Sequence, residues 1–254
     1  MREHRPSITA CAVALVRSQL PRPQIPTGDA EAEKRLYEGL RQRWGGILFM
    51  RGRHSAVADR TVFIDDETVA ALNAGINQVV IVGAGYDGRA LRFRKPGVRF
   101  FEIDHPATQA DKRGRMEALG VSLDHVQFVP INLVNERLED VLSKTDHRRE
   151  EPSLLICEGL VRYLPKDCVR QLFASMRPLA APGSKLVLNS REYRAPVHRS
   201  VWRWLFSLLG EPIRSTFAIG EMAHLLGEAG WKVVREVRRP SDKTERILIA
   251  AEPL

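Results

Sequence analysis

Cysteine is scarce in this chain. Cys11, Cys157 and Cys168 are its whole complement in 254 residues; they lie far apart, are odd in number and form no C-x-x-C pair. That pattern excludes a disulfide framework and a finger-type zinc site, so a reducing, cytoplasmic setting and no bound metal are expected. No run of about 18 apolar residues occurs, and no membrane span is expected. The longest apolar stretch near the start, Ile8 to Val16, follows Arg2 and Arg5 much as a signal sequence would. It is short, is closed by Arg17, and has no clean small-residue cleavage site after it; it reads as a helix packed on the domain. Internal repeats and low-complexity tracts are absent too. Acidic residues are the minority, 31 against 39 lysines and arginines, for a formal charge of +8. The arginines are scattered rather than gathered in one run, which reads as solvated surface and speaks against a nucleic-acid partner.

What is present is a regular alternation of helix and strand signals. Residues 1–75 read as a helical extension packed on the core. Asp29 to Trp44 places Ala32, Leu36 and Leu40 at helical spacing, with Asp29 as N-cap, after a loop marked by Pro21, Pro23 and Pro26. Asp65 to Gly75 reads as a short helix stopped by its glycine. Over 76–254, strands are expected at Gln78 to Gly83, Val98 to Asp104, Val126 to Leu133, Ser153 to Gly159 and Gly183 to Arg191, with helical segments following them. That order implies a parallel, doubly wound α/β sheet with right-handed crossovers. The tail differs: an apolar, Trp-bearing insertion over 195–219, a helix over 220–230, and two strands, Trp231 to Arg239 and Thr244 to Pro253, joined by a turn and expected to pair as a hairpin.

The stretch VVIVGAGYDGRALR, Val79 to Arg92, carries the chemical question. Gly83, Gly85 and Gly88 satisfy the dinucleotide fingerprint G-x-G-x-x-G. In an open α/β sheet this loop shares one crevice with the ends of the second and fourth strands. An acid after the second strand, Asp104 or Glu102, suits the ribose of NAD and of S-adenosylmethionine alike and does not choose between them. Asp87 does more. A pyrophosphate rests on free N–H groups at a helix N-terminus, and a carboxylate there competes for them; at ~4 Å and an effective dielectric near 20, two like charges cost on the order of 4 kcal/mol. S-adenosylmethionine has no phosphate and brings a sulfonium and an ammonium, so an acid in the loop is tolerated, as a helix cap or as a partner for the ammonium.

The segments RTVFIDDETVAALNAGINQVVIVGAGYDGRALRF, FFEIDHPATQADK and EGLVRYLP, in this order, resemble the leucine carboxyl methyltransferase-like family of class I S-adenosylmethionine-dependent O-methyltransferases, which includes polyketide O-methyltransferases. The resemblance spans Arg60 to Leu164, with the terminal hairpin in keeping. It implies a Rossmann-like fold whose seven-stranded, mostly parallel sheet ends in an antiparallel hairpin, with N-terminal helices and a cap insertion. It implies S-adenosyl-L-methionine as cofactor and no metal. Gly83, Ala84 and Gly85 would line the loop under the methionine part, with Asp87 in the same loop. Arg60 would grip the cofactor's carboxylate, Asp104 would accept from the ribose hydroxyls with Glu102 beside it, and Asn132 and Leu133 would sit at the adenine. Glu158 and Gly159 would close the site near the amino group or the transferring methyl. Two departures stand out: the family commonly has Asp-Thr-Arg where this chain has Asp87-Gly88-Arg89, and Asn132 replaces a frequent aspartate.

Methyl transfer is an in-line displacement that needs alignment more than proton transfer. A carboxylate acceptor needs no base, whereas a hydroxyl acceptor needs one; Glu158, Tyr163 and His198 are the candidate catalytic residues. Arg191, Arg194, Arg199, Arg203 and Arg214 interleave with Trp202, Trp204 and Phe206 and suit a small acidic or aromatic acceptor. Other readings are methylation of a protein C-terminus or of a modified tRNA base, an NAD-type oxidoreductase, and a catalytically silent cofactor-binding protein.

Overall fold

In the computed structural model, residues 7–44, 54–194, 212–240 and 244–254 are described. Three helices come first: α1 (Ile8–Arg17), α2 (Ala30–Trp44) and α3 (His54–Asn73). The Ser7 hydroxyl caps α1 by accepting from Ala10 N at 3.0 Å, and Asp29 Oδ1 caps α2 by accepting from Ala32 N at 2.7 Å. α3 starts well before the acids that suggested its beginning. Its polar residues Thr61, Asp65, Glu67 and Thr68 are buried along with Val57, Phe63 and Ile64, and in the first half only Val57, Thr61 and Phe63 are buried among the described residues, too few for a clean apolar stripe.

The alternation follows as β1 (Gln78–Val82), α4 (Arg89–Arg92), β2 (Arg99–Asp104), α5 (Pro106–Ala118), β3 (Val126–Pro130), α6 (Leu138–Leu142), β4 (Ser153–Cys157), α7 (Lys166–Met176) and β5 (Lys185–Tyr193). The tail supplies β6 (Phe217–Ala218), α8 (Glu221–Glu228), β7 (Trp231–Pro240) and β8 (Thr244–Pro253). Strands run in the order β3-β2-β1-β4-β5-β8-β7, with the two-residue β6 added beside β5. Pairings from β3 through β5 are parallel; β8 is antiparallel to both β5 and β7, so the expected terminal hairpin forms and docks through β8. The insertion expected over 195–219 falls largely outside the described residues; its last part contains β6.

β1 is buried at every position, as a central strand covered on both faces must be. Val80, Val82, Phe101, Ile103 and Leu155 pack toward α7 and α8, and Trp231 joins that layer by donating from Nε1 to Phe173 O at 3.1 Å. Val79, Ile81, Phe100 and Ile156 pack on the opposite side against Phe63 and Ile64 of α3. The chain leaves β1 toward β2 and returns beyond it to β4, so the switch point lies between β1 and β4 and opens a crevice at their carboxyl ends. No described helix is long and apolar enough to cross a membrane.

Candidate active site

The crevice is floored by the glycine loop. Gly83 N and Ala84 N both donate to Ile103 O, at 2.8 and 3.0 Å, tying the loop to the end of β2. Gly83 and Gly85 have φ of 71° and 51°, the left-handed region that a side chain strains. A Cβ on Gly85 would also lie 2.8 Å from the Ala10 Cβ of α1, so the first helix can lie over the loop only because glycine is there. Gly85 N donates to Asp104 Oδ2, and His105 N donates to Oδ1 at 2.6 Å. Each Asp104 oxygen therefore has one backbone donor and keeps a further lone pair. Burial raises the Asp104 pKa, with the two N–H groups opposing.

Behind the loop lies a buried ion network that joins the N-terminal helices to the sheet. Three guanidiniums converge on Glu158: Arg17 Nη2 at 2.5 Å, Arg60 Nε at 2.8 Å and Arg89 Nη1 at 2.8 Å. Arg89 also holds Asp65 at 2.7 Å and pairs with Asp87, and Arg17 reaches Asp87 at 3.3 Å. Deeper in, Arg22 bridges Asp65 and Glu33 at 2.6 Å each, Arg92 pairs with Glu33, and Tyr37 donates to Glu33 at 3.1 Å. The Tyr37 hydroxyl in turn accepts from Gly88 N at 3.1 Å. A side chain at position 88 would meet Glu33, whose Oε1 lies 2.7 Å from where a Cβ would stand. With Glu33 held in place by Arg22 and Arg92, that contact favours glycine at position 88. Burial alone would raise the Asp87 carboxyl, but Arg17 and Arg89 outweigh it and bring it down to about 2. Burial likewise pushes Glu158 up, and its three arginines overcome this and hold it well below the ordinary carboxylate range.

A cavity of about 370 Å³ opens over the loop, within the range of small-molecule sites. Gly83, Ala84, Gly85, Asp104, Asn132, Leu133, Glu158, Gly159, Arg60 and Tyr163 all line it, so most of the residues singled out from sequence meet at one place. Two of the expected cofactor residues do not line it. Glu102, one residue pair deeper on β2, forms a buried ion pair with Lys112 at 2.5 Å. Asp87 lies behind the loop, 2% exposed, and accepts from Arg89 N, the first residue of α4, at 2.8 Å.

This placement changes the reason for disfavouring a pyrophosphate. The Asp87 charge is matched by Arg17 and Arg89, so repulsion is not the operative effect. The N–H that a phosphate would need is already taken by the Asp87 side chain, and α4 is a single turn with little dipole to offer. The Asn132 side-chain oxygen Oδ1 accepts from Val134 N at 3.1 Å and retains one lone pair for an amino group. Glu158, held by three guanidiniums at low pKa, is suited to orienting Arg17 and Arg60 rather than to accepting a proton. His198 lies outside the described residues.

Arg17 went unnoticed as a site residue, although its place at the end of an otherwise apolar helix was a signal. Asp65 stands at the start of the expected helix and Arg89 follows Asp87 and Gly88 in the loop, while Arg22 and Glu33 carry no signal of their own; nothing in the spacing of the four shows that they meet. Arg162, which lines the cavity with its guanidinium 5.6 Å from the Tyr163 ring centroid, was also missed.

Comparison with known proteins adds to this geometry. The family model for leucine carboxyl methyltransferase matches residues 16–177, more than half of the chain. A protein of Parafrankia sp. (strain EAN1pec), provisionally named an S-adenosyl-L-methionine-dependent methyltransferase, is 31% identical over 221 residues, which cover 78% of this chain and 66% of the relative. A Mycobacterium sp. (strain JLS) protein with the same provisional name is 34% identical over 204 residues, 74% of this chain and 65% of the relative. The chain thus spans just under two thirds of the length of these relatives. Among solved structures, geranyl diphosphate methyltransferase in complex with GPP and sinefungin superposes with a TM-score of 0.55 at 14% identity, covering 78% of this chain and 80% of that one. The fold is the class I methyltransferase fold.

Proposed function

The chain belongs to the leucine carboxyl methyltransferase family, and from that premise we propose that it transfers a methyl group from S-adenosyl-L-methionine to a carboxyl or hydroxyl oxygen of a small acceptor. The observation that carries the reading is that Gly83 and Gly85 at positive φ, Asp104, Arg17 and Arg60 line one cavity together. These residues fit the cofactor. Asp104 presents one spare lone pair on each oxygen to a vicinal diol. Arg60 and Arg17 offer guanidinium surface to a carboxylate, and Arg17 Nε is buried without a hydrogen-bond partner among the described residues. Asn132 and Leu133 line the same cavity, and the reading assigns them to the adenine. The cofactor, when bound, supplies a methyl group on a sulfonium, ready for displacement.

The protein's own task is then alignment. α1 covers the loop with Ala10 and closes the back of the site with Arg17, and the ion network makes the positions of Arg17, Arg60 and Glu158 depend on one another. On the acceptor side the described lining includes Arg162, Arg191 and Arg214 with Tyr163 and Leu164. That surface favours an anionic acceptor, and a carboxylate is already ionised and needs no base. The test is transfer of a labelled methyl group to a panel of small carboxylic acids and phenols. A labelled product that mild alkali hydrolyses identifies an ester; an alkali-stable product identifies an ether. Absence of transfer to every member of a panel spanning both classes, by protein that binds S-adenosylhomocysteine, would contradict the small-acceptor reading.

A further inference from the structure

Beside Arg60 a smaller cavity of about 70 Å³ adjoins the main one, and the two share Ala56, Arg60, Gly159, Arg162 and Arg191. Its wall is a row of arginines that the sheet itself creates. Arg191 of β5 lies directly opposite Arg246 of β8, and Arg246 lies directly opposite Arg239 of β7. Arg60 from α3 and Arg162 from the turn after β4 add two more guanidiniums to the lining. Like charges directly opposite on neighbouring strands destabilise a sheet, and here three of them stand in file across three strands.

Compensation is incomplete. Asp59, the one carboxylate in the lining, pairs with Arg246 at 3.1 Å, and Arg60 is engaged by Glu158. Among the described residues, no carboxylate is paired with Arg191 or Arg239. The Arg191 side chain still reaches solvent, yet desolvation of its guanidinium, and then Arg162 and Arg246, hold its pKa below the ordinary value; Tyr193 is the opposing group. A file of guanidiniums short of carboxylate partners, beside a space roomy enough for one small oxyanion, reads as a receptor, since guanidiniums grip oxyanions with paired hydrogen bonds.

We propose that this arginine row is an anion subsite of the acceptor, so that the acceptor carries, besides the oxygen to be methylated, a second group that is a phosphate or a carboxylate and that sits against Arg191 and Arg246. The inference rests on the methyltransferase reading, because it assigns the subsite to the acceptor side of that cavity. The lining of the subsite includes Arg60 and Gly159 but no residue of the glycine loop, which leaves the loop to the cofactor.

The experiment is calorimetric titration of the full chain with inorganic phosphate and, separately, with malonate, each with and without saturating S-adenosylhomocysteine and each against sodium chloride of equal ionic strength. Saturable binding of either anion beyond the chloride control is expected; tighter phosphate points to a phosphorylated acceptor, tighter malonate to a dicarboxylic one. Arg191→Gln should weaken that binding by about tenfold or more while leaving S-adenosylhomocysteine affinity within about twofold, and Arg191→Lys should restore part of it. The proposal is overturned if neither anion binds beyond chloride, or if Arg191→Gln binds it as the native chain does. Failure of S-adenosylhomocysteine itself to bind would instead remove the methyltransferase reading, and with it the assignment of the subsite to an acceptor.

Discussion

Replacing Asp104 by asparagine changes almost no volume, yet two separate losses are expected from it. In the native chain one carboxylate oxygen accepts from Gly85 N and the other from His105 N at 2.6 Å. An amide has one acceptor oxygen and one donor nitrogen, so in either orientation one backbone N–H faces another donor. Leaving a buried donor unpaired costs about 1–3 kcal/mol, which for a chain of this size lowers Tm by roughly 2–10 °C. The second loss is in binding. A hydrogen bond to a charged acceptor contributes about 1.5–3 kcal/mol; losing one from the ribose diol weakens S-adenosylhomocysteine by roughly 10- to 200-fold. Calorimetry with S-adenosylhomocysteine and thermal melting by circular dichroism read the two effects independently. The pH dependence has a definite sign: only the ionised carboxylate accepts from both hydroxyls, and burial raises its pKa. Native affinity should therefore fall on acidification at a pH above the ordinary aspartate range, and this fall should be absent in Asp104→Asn. Affinity within about twofold of native in the variant would refute the assignment of Asp104 to the ribose.

Two further predictions concern the ion network. Glu158→Gln removes the shared partner of Arg17, Arg60 and Arg89; an uncompensated buried charge costs about 3–5 kcal/mol, so Tm should fall by roughly 6–20 °C, and a change under about 2 °C would contradict the network's role. Asp87 is depressed to about 2 in the folded chain, so its contribution is full above the unfolded aspartate pKa and is lost as pH falls toward 2. Glu102 and Asp104, whose pKa values burial raises, act in the opposite direction and partly offset this. Denaturant unfolding should show native protein more stable than Asp87→Asn by roughly 2 kcal/mol near neutrality, with the gap closing on acidification; a gap independent of pH would refute the pairing.

The alternation of strands and helices was readable because each strand is short, apolar and bounded by turn residues, and the glycine loop with Asp104 was readable because both sit at strand ends. The first half of α3 was not: over residues 54–63 only Val57, Thr61 and Phe63 are buried among the described residues, and a buried threonine in so sparse a set leaves no apolar stripe that marks a helix. The ion network could not be read either: Arg17, Asp65, Asp87 and Glu158 are far apart in the chain, and only the packing of α1 and α3 on the sheet brings them together. Asp87 pointed away from a dinucleotide for a reason that its neighbours changed. Its charge is cancelled by Arg17 and Arg89, and what it does is occupy the N–H that a phosphate would need. The same holds for Gly88, whose lack of a side chain is favoured by Glu33 of α2, a contact no local pattern announces. The arginine row is legible only in the register of β5, β8 and β7.

The claim at the centre is that this loop serves a methyl donor and not a dinucleotide. Calorimetry of the native chain with S-adenosylhomocysteine and, in parallel, with NADH tests it most directly. Saturable, one-to-one binding of S-adenosylhomocysteine with no binding of NADH is the predicted result; binding of NADH without S-adenosylhomocysteine would contradict it.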